Sequence, residues 1–219
     1  MKKNIIVYGI IIVIFLFIIA FIIVRNTSKQ DNSFGNKYIY QGRTDNFTFQ
    51  VVQYPDFKAQ MLYLYVTQNN KFTLKQLPFD YTPYELSSYS IENGIENKIL
   101  GTTNMKKTLY ITQDLDLADK TSSYSMLASA EIAKVTGIAD YSVFMMNTNS
   151  AFTSNNGNLS PGSIVTCDSA NSKIAVIYLK LGDGDKIYSD GECVIVQSKN
   201  PKDIKKLATA LIYRLVGVF

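Results

Sequence analysis

The sequence predicts a mixed α+β and α/β chain. An N-terminal transmembrane helix leads into a β-meander, then a βαβ unit, then a β-rich segment closed by a C-terminal amphipathic helix. Three observations carry this. Ile5–Val24 is an unbroken apolar run of twenty residues without a charge. Residues 47–77 alternate apolar and polar side chains in short runs, the period of strands with one buried face. Residues 200–217 place Ile204, Leu207, Ala208, Leu211, Ile212 and Leu215 at helical spacing.

Taken in order, Ile5–Val24 reads as a signal anchor. At about 1.5 Å per residue it spans roughly 30 Å, the hydrocarbon thickness of a bilayer. No small-residue cleavage site follows it, and a cleaved signal's apolar core is shorter. Lys2 and Lys3 before it slightly outweigh Arg25 and Lys29 after it in membrane-orienting effect, together with the terminal amine. The positive-inside rule then puts the N-terminus in the cytoplasm and the bulk of the chain outside. The expected organisation is residues 1–25 as anchor, 26–38 as polar linker and 39–219 as extracytoplasmic domain.

Phe47–Tyr54, Met61–Gln68 and Phe72–Leu77 read as the strands of the meander. Asn69-Asn70 suits the tight turn between the last two, because Asn tolerates positive φ. Thr82 is placed to cap a short helix that starts at Pro83, and Ile95–Leu100 adds another short piece. Lys107–Thr112 is a strand. A polar connection with Asp114, Asp116 and Asp119 follows, then a helix over Thr121–Thr136, ended by Gly137. Tyr141–Met146 reads as the returning strand, parallel to the first. Asn147–Gly162 reads as a long polar loop, and Ser163–Cys167 resumes β character. Lys173–Leu181, Lys186–Tyr188 and Cys193–Gln197 are further strands separated by Asp-Gly turns. Asn200 and Pro201 open the last helix as cap and first residue, and Lys202, Lys205 and Lys206 lie on its solvated side.

Composition narrows function. The net charge is +4, and Lys2 and Lys3 supply half of it, so the extracytoplasmic part is close to neutral. A nucleic-acid partner, which needs a concentrated basic face, is not expected. The chain contains no histidine. That removes Ser–His–Asp and Cys–His catalysis and His-ligated zinc. No Gly-rich phosphate loop, G-x-S-x-G or S-x-x-K motif occurs. A histidine-free hydrolase is therefore the least favoured of three readings.

The two cysteines, Cys167 and Cys193, stand 26 residues apart. An oxidising exterior permits a disulfide, worth roughly 3 kcal/mol for such a loop; two buried thiols are the other reading. Asp114, Asp116 and Asp119 follow a strand where open α/β sheets place ligands, so they are candidate ligands for a cation such as Ca²⁺. The alternative is that they solvate the loop and favour the N-terminus of the next helix. No other cofactor is indicated. Asp183, Asp185, Asp190 and Glu192 begin like a calcium loop but lack its later ligands, and Asp-Gly turns explain them better. Asn46 and Asn158 stand in glycosylation sequons. The tyrosines between Tyr38 and Tyr89 are read as meander core first and as a binding face second.

The runs Ile164-Val-Thr-Cys-Asp, Val176-Ile-Tyr-Leu, Lys186-Ile-Tyr-Ser-Asp-Gly-Glu-Cys-Val-Ile-Val and the helix from Ile204 through Gly217 resemble uncharacterised single-pass membrane proteins of small-genome archaea. Leu77-Pro-Phe-Asp-Tyr-Thr-Pro-Tyr-Glu-Leu and Leu109-Tyr-Ile-Thr-Gln-Asp fit the same pattern. A looser likeness, over about the last 50 residues, is to α/β segments of archaeal surface-layer proteins. Both resemblances imply an envelope setting, and neither implies an activity. The resulting expectation is an envelope protein anchored through residues 5–24 that makes protein–protein or envelope contacts. A membrane-tethered domain for a small ligand or cation is the alternative.

Overall fold

A computed structural model describes residues 34–68, 71–101, 107–154 and 163–219. The apolar run Ile5–Val24, the Asn69-Asn70 turn and Asn158 lie outside the described residues. Among the described residues no helix is long and apolar enough to cross a membrane.

The meander forms as the alternation requires, with one strand more than the sequence suggested. β1 (Phe34–Gln41), β2 (Asn46–Gln53), β3 (Lys58–Gln68) and β4 (Lys71–Phe79) pair antiparallel in chain order. β1 begins inside the stretch read as linker, so residues 34–38 belong to the sheet. Tyr38 explains the difference: its ring stacks on Phe49 at 5.4 Å and its hydroxyl donates to Gln60 at 3.2 Å. Phe49, Leu62 and Leu77 lie opposite one another across β2, β3 and β4 and define the inner face.

Helix α1 (Pro83–Leu86) starts as expected. The Thr82 hydroxyl accepts from the Glu85 amide, and the Glu85 carboxylate accepts in return from the Thr82 amide, a reciprocal cap. The short strand β5 (Ser90–Ile91) and helix α2 (Ile95–Leu100) lead to the second half of the fold.

The predicted βαβ unit is present with shifted boundaries. β6 (Thr108–Gln113) and β7 (Thr148–Phe152) are parallel, and helix α3 (Leu115–Thr136) joins them. The helix starts six residues earlier than expected, with Asp114 at its N-cap position. Tyr141–Met146, read as the returning strand, is irregular. Its donors are consumed by the end of α3. Val143 and Phe144 both donate to the Val135 carbonyl, Met146 to Thr136 and the Ser142 hydroxyl to Lys134. A segment whose amides cap a helix cannot also form a ladder. The strand falls instead at Thr148–Phe152, inside what was read as loop.

The remaining strands are β8 (Ile174–Leu181), β9 (Lys186–Asp190) and β10 (Cys193–Ser198). The second sheet has the order β5-β9-β10-β8-β6-β7, with β10, β8, β6 and β7 parallel and β9 antiparallel to β10. Ser163–Cys167 is not a strand. It makes one bridge, Phe152 to Ile164, then a 3-10 turn at Cys167–Ser169. These residues form a strap over the far face of the sheet. Thr112 donates to the Val165 carbonyl at 2.7 Å, and a Cys167–Cys193 disulfide ties the strap to β10. Val165, Val176, Cys193 and Ile195 make a small core beneath it.

Helix α4 (Ile204–Leu215) holds the two sheets together. Asn200 accepts from the Lys202 amide and Pro201 follows, but they open a 3-10 turn, Pro201–Asp203, and Asp203 stands at the N-cap position of the α-helix itself. The expectation of one apolar face and one solvated face is corrected: Thr209, Ala210, Tyr213 and Arg214 are buried along with the apolar stripe. The helix packs on β10 and β9 and also meets the meander through Tyr213. That ring makes edge contacts with Phe49 (5.7 Å), Phe79 (4.9 Å) and Phe219 (5.6 Å), and its hydroxyl donates to the Tyr81 carbonyl at 2.7 Å. Lys205 is half-buried and paired with Asp80, and Lys206 pairs with Asp203.

Arg214, also buried, donates through Nε to Glu96 at 3.1 Å and through Nη2 to Asn93 at 3.0 Å. Glu96 receives Arg43, from the β1–β2 turn, at 2.8 Å as well. One carboxylate thus joins the meander, α2 and α4. Burial alone would raise the Glu96 pKa, but its own backbone amide and the two arginines outweigh that and hold it below the ordinary 4.5.

Two outcomes follow for stability. Tyr213→Phe, which removes only the bond to Tyr81, should cost about 1 kcal/mol in a denaturant titration, and Tyr213→Ala about 3–5 kcal/mol. Because the folded-state pKa of Glu96 is depressed, its contribution is complete above the unfolded value and is lost as pH falls through the folded one. Between neutral pH and pH values below about 4.5, Glu96→Gln should therefore flatten part of the loss in melting temperature that the native chain shows.

Candidate functional site

Two features of the fold offer chemistry or a surface. The first is the carboxyl end of the parallel strands, where an open sheet exposes chain turns to ligands. Asp114 follows β6 directly, and Thr153 follows β7. Both reach the same point as Tyr178 of β8. Asp114 Oδ1 accepts from the Thr153 hydroxyl at 2.6 Å and from the Tyr178 hydroxyl at 2.7 Å. Burial, and then the bond to Asp114 and its charge, raise the Tyr178 pKa well above the ordinary value. The cluster fixes a phenol as a donor and a carboxylate as an acceptor across three strands.

Beside it, α3 and the edge strand β7 enclose a cleft of about 390 Å³. Met126, Ser129, Ala130 and Ala133 line it from the helix, and Gln113, Ser150 and Phe152 from the strands. Gln113 is nine-tenths buried, and its Oε1 has no hydrogen-bond partner among the described residues. Ser125 Oγ, inside α3, shares that condition. A buried acceptor without a donor is costly, and sites that bind something are where such groups persist.

The predicted site residues fall as follows. Asp114 is at the carboxyl edge, as expected of a strand end. Asp116 and Asp119 are in the first turns of α3 rather than in a loop, and their side chains lie outside the described residues. No group of three or more Asp, Glu or Cys side chains converges as a cation site among the described residues. Cys167 and Cys193 are bridged. Asp185 is a turn residue: its carboxylate accepts from the Ser198 hydroxyl at 2.8 Å and the Lys199 amide at 2.7 Å. Asn46 is exposed at the start of β2. Tyr178, Thr153 and Gln113 were not identified from the sequence. The one signal for Tyr178 was its place in the most apolar strand, where a buried phenol calls for a partner.

The second feature is the outer face of the meander. α3 and α4 reach its inner face through Lys134 and Tyr213, while its outer face carries exposed apolar side chains. Ile39 is 68% exposed, Tyr65 76%, Phe72 84% and Leu74 41%. Tyr65 lies directly opposite Leu74, and Thr67 opposite Phe72, so three of these side chains cluster toward the β3–β4 turn. At the other end of the sheet, Tyr54 and Phe57 stack at 4.5 Å in the β2–β3 turn. Lys37 lies over the Tyr63 ring, and the Tyr63 hydroxyl donates to Gln50 at 2.7 Å.

The fold and these surfaces define a mixed α+β domain with a parallel-strand edge cluster and an uncovered aromatic sheet face. Compared with known protein families, curated proteins and solved structures, the chain matches none.

The edge cluster is testable as a unit. A double-mutant cycle on Asp114→Asn and Tyr178→Phe, read by chemical denaturation, should give a coupling energy of about 1–2 kcal/mol. Strict additivity of the two substitutions would show that the carboxylate and phenol do not act together.

Proposed function

We propose that the chain is a membrane-anchored, extracytoplasmic envelope protein whose domain works through surface contact rather than turnover. The uncovered outer face of the meander carries this reading. Apolar patches of this kind on a folded domain mark interaction surfaces. The Cys167–Cys193 disulfide supports an oxidising compartment, and the Ile5–Val24 run supports the tether. The resemblance to archaeal single-pass membrane proteins agrees with the setting. The absence of histidine argues against the commonest hydrolytic machinery.

The buried, unpartnered Gln113 Oε1 favours a second reading, in which the cleft between α3 and β7 takes a small, mostly apolar ligand; a cation at Asp114 is the other form of that reading. A ligand that binds the folded state raises its melting temperature. Millimolar calcium should produce such a rise if the cation form holds, and an unchanged melting temperature would remove it.

The first reading is checked on the full chain in its native membranes. It should stay with the membrane pellet through an alkaline wash. Its two thiols should react with a maleimide only after reduction, and the purified protein should not turn over simple ester, peptide or glycoside substrates. Release into the wash, free thiols without reductant, or turnover would each count against it.

A further inference from the structure

We infer that the outer face of the meander docks flat on the lipid surface, so that the domain lies on the membrane rather than hanging from it. This rests on the membrane tether proposed above. Its own grounds are the chemistry of the face and the place where the chain enters it.

The strand registers assign every outward position of the four strands. Side chains opposite in sense to Phe49, Leu62 and Leu77 point outward, and none of them is a carboxylate. Lys37 is the one charged side chain among them. The acids of this sheet, Asp45 and Asp56, sit exposed in its turns. Lys58 and Lys71 are exposed at strand ends, on the rim. In a chain with 18 acidic residues, an exposed sheet face free of them is suited to a surface that is apolar below and anionic at its boundary. Tyrosine and lysine settle at the headgroup level of a bilayer with the apolar part toward the chains and the polar end toward water, and phenylalanine and leucine insert beside them.

The entry point selects lipid as the occupant. β1 is an edge strand of this same sheet. Residues 25–33 are all that separate it from the apolar run, and nine residues reach at most about 30 Å. The sheet therefore stays within one domain's width of the bilayer. Phe34 pairs with Val52, at the end of the sheet where Tyr54 and Phe57 stack. Tyr65, Phe72 and Leu74 lie toward the opposite end, roughly 23–30 Å along β3 from Lys58. A tether alone holds the near end at the membrane. A face-down domain brings the far end there as well.

The far end is therefore where the inference is tested. The chain contains no tryptophan, so Phe72→Trp supplies a single reporter. The full chain is reconstituted in phosphatidylcholine vesicles with a minority of phosphatidylglycerol. Trp emission should shift to the blue, be protected from acrylamide, and be quenched by lipid brominated high on the acyl chain. Leu181→Trp, on the second sheet, should be open to acrylamide and untouched by the brominated lipid. Adding Tyr65→Glu to Phe72→Trp should abolish most of the lipid quenching while the protein still floats with the vesicles. If the protein floats but the Phe72→Trp reporter remains acrylamide-accessible and unquenched by lipid, the docking inference fails and the tether stands. If the reporter is shielded only as protein density rises, and not by lipid, a second copy covers the face and the inference fails. If the protein does not float, the tether reading fails and the docking inference fails with it.

Discussion

The domain depends on the burial of α4 between two sheets that share no strand. Each sheet has an apolar face that has to be taken out of water, and a single helix contributes to covering both. Its stripe of Leu207, Ala208 and Leu211 belongs to the same core as Ile177, Leu179 and Val196 of the second sheet. Tyr213 extends that core into the meander through Phe49 and Phe79. The helix is buried around its circumference, so its polar residues need internal partners. Thr209 bonds back to Lys205, Tyr213 to Tyr81, and Arg214 to Glu96 and Asn93. An unpaired guanidinium at that depth would be costly, which is why Glu96 and Asn93 are positioned where they are.

Much of the fold was legible because local rules and tertiary structure agree. Alternation gave three of the four meander strands, Thr82-Pro83 gave a helix start, Asn200-Pro201 gave the 3-10 turn that leads into α4, and the pairing of β6 with a parallel strand beyond a helix held. The errors came where a local signal met a tertiary use. Tyr141–Met146 has the composition of a strand, but its amides are needed by the last turn of α3. β1 looks polar in sequence because one of its faces is open to solvent, and Tyr38 alone does not reveal a strand. The solvated side expected of α4 rests on Lys202, Lys205 and Lys206, whereas Thr209 and Arg214 farther along the helix are polar residues that tolerate burial once paired. Arg214 and Glu96 are 118 residues apart, and no spacing rule links them.

The candidate site was legible at one residue. Asp114 could be placed at a strand's carboxyl end because the βαβ pattern fixes where that end is. Its partners could not, since Thr153 and Tyr178 come from strands whose order in the sheet is set by packing. The cleft is invisible in sequence for the same reason: small residues on α3 and an unremarkable Ser150 create space only because β7 is the edge. The disulfide lay between these extremes. The sequence permitted it, and the strap brings Cys167 over Cys193 because Val165 and Ala170 need the same apolar ground on the sheet.

The position of α4 in chain order has a consequence for biogenesis. It follows every other described element, so neither sheet completes the cover of its apolar face until residues 204–215 have joined the rest. Until then the earlier strands, the edge of β1 among them, are without their packing partner, and the contact from Tyr213 to Phe49 closes one of the longest loops in the chain. Contacts of such separation form late and slowly. A chain made from its N-terminus onward therefore stays pliable for most of its synthesis and locks only after its last helix has arrived.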